Sequence, residues 1–356
     1  MNNKIRLSVF LITIIAFCLY FISQDIKVTN DFYSEEAQSV MKELNIASKI
    51  SKSEYSKTVE AMLTSGSFKE KYVDSYFKVD YIERADFTDT LNIFIELNYK
   101  PEIINYIYTL NNENFNIIKS SEYIELKDFL NIGNIEVSKI ERYFNYKNKN
   151  SVSLQSAVTM VNIGLDLDFY SHYKIIDNLN SYHVLVNKYN YLPEDYVPED
   201  LVSIQGFDSF KMRPEASKYI TTLIKDANDV GIKLEPYSTY RSYTRQSTLY
   251  DTYVSEDGID IADKYSARPG FSEHQTGLAA DIRSVGYLAD VSIEASDWLL
   301  QNSYKYGYIL RYLEETTFIT GYESEPWHIR YVGVNIATDI VSKKLTFEEY
   351  YDLYLK

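Results

Sequence analysis

The sequence predicts an α+β chain in which a mainly α-helical first half precedes a mixed α and β domain. Residues 1–192 hold one proline (Pro101) and three glycines, whereas the remainder holds six prolines, nine glycines and both tryptophans. Sparse breakers fit helices joined by Asn- and Ser-rich turns, and frequent breakers fit the turns of a mixed domain. The 356 residues suggest two domains, or one domain with a large appendage. A net charge of −15 argues against nucleic acid, whose phosphates are bound by neutralising them. A single cysteine excludes a disulfide framework and Cys-rich zinc modules.

Lys4 and Arg6 precede an apolar run from Leu7 to Ile22. Basic residues before such a run favour a cytoplasmic N-terminus. The run is slightly short for a spanning helix of about 20 residues and long for a signal peptide. No small-x-small cleavage site follows it. We expect an uncleaved signal anchor over residues 1–24, with a cleaved signal as the alternative. The rest of the chain is then expected outside the cytoplasm.

Residues 25–183 form the helical region. Leu97-Asn98-Tyr99, Leu130-Asn131-Ile132 and Val161-Asn162-Ile163 begin 33 and 31 residues apart, and Leu44-Asn45-Ile46 resembles them. The spacing fits helical-hairpin repeats, and equally fits coincidence in a chain rich in Leu, Asn and Ile. Functionally the region reads as a spacer or a partner-binding stalk, with no partner named.

The joint lies at Tyr191–Leu201, where Pro193 and Pro198 favour extended chain. Ala216, Tyr219, Ile220, Leu223, Ile224 and Ala227 then recur at helical spacing, and Gly231 stops them. Ile232 and Leu234 begin a strand running into Tyr240-Arg241-Ser242. Helices are expected at Thr244–Val254 and from Glu294 to Tyr306, with Gly307 ending the second. Strands are expected at Tyr308–Leu313 and His328–Val332. Thr346 and Glu349 form a capping box before a last helix.

Four histidines occur, and two of them sit in motif-like segments: Ser272-Glu273-His274-Gln275-Thr276-Gly277-Leu278-Ala279-Ala280-Asp281 and Glu325-Pro326-Trp327-His328. Catalytic zinc takes three protein ligands, and imidazole nitrogen and carboxylate oxygen both serve. His274, Asp281 and His328 supply that set. Asp281 has an apolar setting, as on a buried strand, and a buried carboxylate needs a metal or a guanidinium beside it. Glu325, three residues before His328, stands where a general base could serve. Spacing alone does not decide for a metal, because His-x6-Asp is not a recognised zinc spacing.

These strings, with Ser238-Thr239-Tyr240-Arg241-Ser242-Tyr243 and Leu185-Val186-Asn187-Lys188 in the same order, resemble the signatures of VanY-type D-alanyl-D-alanine carboxypeptidases. The resemblance covers about residues 184–335. It implies a zinc peptidase domain over 184–356, with a small antiparallel sheet flanked by helices. It implies Zn2+ on His274, Asp281 and His328, Glu325 as catalytic base, and Arg241 stabilising a reacting or terminal carboxylate group. By the same resemblance Gln246, Ser272 and Trp327 line the substrate site. The implied substrate is the peptidoglycan stem peptide, losing its terminal D-alanine. The alternatives are an L,D-carboxypeptidase trimming tetrapeptide stems, or an inactive wall-binding protein. The chain departs from the family pattern at Thr239, often Gly, and at Leu313-Glu314-Glu315-Thr316, often a Pro-x-Gly-Lys-type turn.

Overall fold

The computed structural model describes residues 32–50, 55–110, 112, 115–116, 132–287 and 290–356. The expected anchor lies outside the described residues. Among those described, no helix is long and apolar enough to cross a membrane. The chain divides into two compact units, Met1–Gln155 and Ser156–Lys356.

The first unit is helical, with helices at Glu35–Glu43 (α1), Lys57–Thr64 (α2), Phe87–Glu96 (α3), Pro101–Thr109 (α4) and Ile140–Asn150 (α5). Ser34 and Ser56 cap α1 and α2, and Pro101 occupies the first turn of α4, where its missing N–H costs nothing. Two occurrences of the Leu-Asn-apolar phrase end helices. Asn45 and Asn98 take left-handed φ values of 55° and 65° just past α1 and α3. The next residues, Ile46 and Tyr99, are buried and donate back to Met41 O and Phe94 O at 3.0 Å. That is the Schellman pattern, in which Asn is the usual substitute for Gly. At Val161-Asn162-Ile163 the helix runs through Asn162 and the left-handed residue is Gly164, with φ of 98°, so that occurrence lacks the Asn stop. Leu130 and Asn131 lie outside the described residues.

The second unit is built on a four-stranded antiparallel sheet. A short parallel pair, Lys174–Ile175 with Asn190–Tyr191, precedes a hairpin of Val202–Ile204 (β1) with Phe207–Met212 (β2). The sheet strands are Leu234–Ser238 (β3), Ala279–Ser284 (β4), Tyr308–Tyr312 (β5) and Glu325–Tyr331 (β6), in the order β3-β4-β6-β5. The unit's helices include Pro214–Asp229 (α6), Tyr243–Asp257 (α7), Ile259–Tyr265 (α8), Ile293–Asn302 (α9), Val334–Lys343 (α10) and Phe347–Tyr350 (α11). The expected Glu294–Tyr306 helix tightens at Ser303 into a 3-10 turn before left-handed Gly307. The last expected strand begins three residues earlier than its apolar pattern suggested, at Glu325. The capping box at Thr346 and Glu349 forms as expected.

The apolar stripe of α6 (Ala216, Ile220, Leu223, Ile224, Ala227) packs in one cluster with Leu234, Ala280, Ile282, Tyr308 and Ile329 of the sheet. Each fully buried Leu or Ile of this layer contributes about 1.5–3 kcal/mol. Side chains alternate along a strand. With Ala280, Ile282, Ile329 and Tyr331 turned to that core, Asp281, His328 and Arg330 take the opposite face. Asp281 and His328 are direct register partners on β4 and β6. The sheet thereby delivers two charged side chains to one spot on a rigid scaffold.

Candidate metal centre and active site

His274 comes from a different element. A 3-10 turn, Glu273–Thr276, runs into β4 through Gly277, whose φ of +67° lets the chain reverse. A Cβ on Gly277 would stand 2.7 Å from Leu201 Cδ2 at this left-handed φ, so the corner favours glycine. The ring of His274 meets that of His328 edge-on, with centroids 5.0 Å apart. His274 Nε2 lies 3.2 Å from Asp281 Oδ2, and His328 Nδ1 lies 3.1 Å from Asp281 Oδ1.

These residues fit a zinc ion. Their donor atoms all lie within 4.8 Å of one another. Ligands about 2.0–2.1 Å from a shared tetrahedral centre stand about 3.3 Å apart, close to the two distances found. The remaining ring nitrogens are oriented as metal-binding histidines require. His274 Nδ1 is 2.7 Å from Thr239 O, and His328 Nε2 is 3.2 Å from Glu273 Oε2. Each partner accepts a proton, which leaves His274 Nε2 and His328 Nδ1 free to bind a cation.

The electrostatics follow from burial and pairing. Burial alone would raise the Asp281 carboxyl, but the two imidazoles hold it well below the usual carboxylate range. Burial and the Arg241 charge push His274 down. His328 resists the same burial, because its hydrogen bonds to Asp281 and Glu273 raise it to about 9.

Glu325 sits 3.6 Å from His328 Nδ1. In a regular strand residues three apart point to opposite faces. Here Leu310 pairs with Ile329 while Tyr312 pairs with Glu325, so β6 spends four residues where β5 spends two. The bulge at Pro326 and Trp327 swings Glu325 onto the His328 side. Burial pushes its carboxyl up to about 7, with Asp281 adding to the rise and His328 and Arg241 opposing it.

All these groups line one cleft of about 1040 Å³. Arg241 reaches it from the loop between β3 and α7. It donates to Gln246 Oε1 and Ser238 Oγ at 2.8 Å, and to Asp281 Oδ2 at 3.3 Å. Gln246 lies in the wall but spends its amide on protein, accepting from Arg241 and donating to Ala267 O at 2.7 Å. Ser272 lines the cleft at the cap position of the 3-10 turn without capping it. Trp327 is half-buried in the wall and packs on the sheet core. The structure thus brings every expected site residue to one cavity.

Sequence reading missed three contributors. Thr239 holds the β2 backbone through its hydroxyl (Lys211 N, 3.1 Å) as well as His274 through its carbonyl. Tyr312 lines the cleft with its ring 4.9 Å from that of His328. Glu273 is buried against His328, Arg311 and Arg330. Strand alternation held the clue to Glu273: Arg330, two residues after His328, must share its face and needs a carboxylate there.

Comparison with known proteins agrees. The VanY family, described as D-alanyl-D-alanine carboxypeptidase, matches residues 209–334. The putative carboxypeptidase YodJ of Bacillus subtilis (strain 168) is 37% identical over 222 residues, covering 57% of this chain and 81% of YodJ. The bifunctional D-Ala-D-Ala dipeptidase and carboxypeptidase VanXYC of Enterococcus gallinarum is 34% identical over 176 residues, covering 47% of this chain and 92% of the relative. A solved structure of the LdcB LD-carboxypeptidase is 38% identical, covers 51% of this chain and 90% of its own, and superposes with a TM-score of 0.47.

Proposed function

This chain belongs to the VanY family of D-alanyl-D-alanine carboxypeptidases, zinc-dependent peptide hydrolases, and from that premise we propose that it removes the terminal D-alanine from peptidoglycan stem peptides. The observation that carries the reading is the buried His274–Asp281–His328 set with Glu325 and Arg241 around it in one cleft.

His274 Nε2, His328 Nδ1 and the Asp281 carboxylate would hold the zinc. When bound, zinc supplies Lewis acidity, bringing the pKa of a coordinated water toward about 7 and polarising a carbonyl. Glu325, with its carboxyl near neutrality, takes a proton from the attacking water and passes it to the departing amine. The Arg241 guanidinium, fixed by Ser238 and Gln246, faces the negative charge that develops on the substrate. A guanidinium also matches the two oxygens of a free C-terminal carboxylate, which suits an enzyme that removes one terminal residue. Ser272 and Trp327 bound the space for the stem peptide. The basic-flanked run Leu7–Ile22 supports a membrane-anchored enzyme with its catalytic unit on the wall side.

The test is product analysis by mass spectrometry after incubating the full chain with purified pentapeptide and tetrapeptide stems. Loss of one alanine from the pentapeptide alone supports D,D-carboxypeptidase activity. Loss from the tetrapeptide replaces it with the L,D-carboxypeptidase reading. Cleavage of neither by zinc-loaded protein replaces it with a wall-binding role.

A further inference from the structure

The match to the family ends at residue 334, yet a buried ionic chain runs from the metal site into the helix α11 beyond it. Glu273 gives one oxygen to His328 Nε2, at 3.2 Å. Its other oxygen accepts from Arg311 Nε and Arg330 Nη1, both at 2.9 Å. Arg311 turns its remaining fork to Glu348 on α11, at 2.9 and 2.5 Å. Asn187 Nδ2 donates to Glu348 Oε1 at 3.3 Å. Glu273, Arg311, Arg330 and Glu348 are each at most 3% exposed.

Such burial makes each member depend on the next. An ionised carboxylate only accepts hydrogen bonds, so Glu273 requires the hydrogen of the neutral His328 ring to sit on Nε2. That leaves the Nδ1 lone pair toward Asp281. Glu273 keeps this aim only while two guanidiniums hold its far oxygen. Arg330 is anchored separately, on Val184 O at 2.7 Å. Arg311 has Glu348 as its bidentate partner, and a forked pair fixes the guanidinium plane as well as its position.

We propose that Glu348 is a positioning residue for the metal ligand His328, acting through Arg311 and Glu273. The last helix is then part of the metal site, although it contributes no ligand. The inference rests on the zinc peptidase reading above.

The experiment compares full-length wild type with Glu273→Gln, Glu348→Gln and Arg311→Lys. The first two keep side-chain shape, and the third keeps the buried positive charge if Glu348→Gln does not fold. Zinc affinity is read by competition with a chromogenic chelator, and ligand geometry by the visible spectrum of the Co2+-substituted protein. Loss of a partner of this kind weakens metal binding by about 10–100-fold, the effect expected for Glu273→Gln. Glu348→Gln and Arg311→Lys are expected to weaken zinc several-fold, shift the Co2+ bands, and lower kcat with little change in KM. Variants that unfold at lower temperature but bind zinc and show Co2+ bands as wild type does would overturn the proposal, leaving Glu348 a stability role alone. Wild type that binds no zinc would instead overturn the metallopeptidase reading beneath it.

Discussion

Glu325→Gln is expected to move stability and activity in opposite directions. The Glu325 carboxyl is raised from its ordinary 4.5 to about 7, chiefly by burial, and its side chain is only 14% exposed. A carboxyl with a folded pKa above its unfolded value destabilises the fold as pH rises from 4.5 to 7, with the full penalty above 7. At about 1.4 kcal/mol per pKa unit, the ionised side chain costs roughly 3 kcal/mol at pH 8. A neutral amide of the same shape removes that cost. Metal-free Glu325→Gln is therefore expected to unfold about 6–12 °C above metal-free wild type at pH 8, given about 2–4 °C per kcal/mol for a unit of this size. At pH 5 the gap shrinks to under about 1 kcal/mol, because wild type is then protonated as well. Both tryptophans lie in the catalytic unit, so tryptophan fluorescence isolates its transition. The zinc-loaded variant should lose at least about 10²–10⁴-fold in kcat, the usual worth of a general base. A variant less stable than wild type at pH 8, or one that keeps its activity, would refute the reasoning.

Metal-free His328 holds a proton up to about pH 9, whereas zinc needs the neutral ring. Apparent zinc affinity should therefore rise about tenfold per pH unit between pH 6 and 8, with one proton released; calorimetry in two buffers checks this, and a flat profile contradicts it. Gly277→Ala should cost about 1–3 kcal/mol and weaken zinc binding, because the new Cβ meets Leu201 at a left-handed corner next to His274; thermal unfolding and chelator competition measure both. Lys188 Nζ donates to Asp263 O and Gly321 O at 2.6 Å. Lys188→Met strands those carbonyls and should destabilise the catalytic unit by about 2–4 kcal/mol in urea unfolding.

Local pattern carried much of this site into view. The stripe of α6, the capping box at Thr346 and the Gly307 stop depend on neighbours within a few residues, and all formed as expected. His274, Asp281, Glu325 and His328 were legible because their flanking strings resemble a known family. The 3.6 Å approach of Glu325 to His328 was not, because period-two alternation separates residues three apart, and only the β5–β6 register reveals the bulge. Glu273 and Glu348 lie 75 residues apart in the chain and meet through Arg311, so no local window could pair them. The role of the Leu-Asn-apolar phrase was equally hidden. Left-handed Asn45 and Asn98 make two of its occurrences helix stops.

The most direct test of the account is release of D-alanine from a pentapeptide stem by full-length protein, assayed as purified, after chelation, and after zinc is restored. The account predicts one bound zinc per chain, activity lost on chelation and regained with zinc, and at least about a 10²-fold loss in zinc-loaded Glu325→Gln. Release that persists in metal-free protein, or its absence from protein carrying stoichiometric zinc, would contradict it.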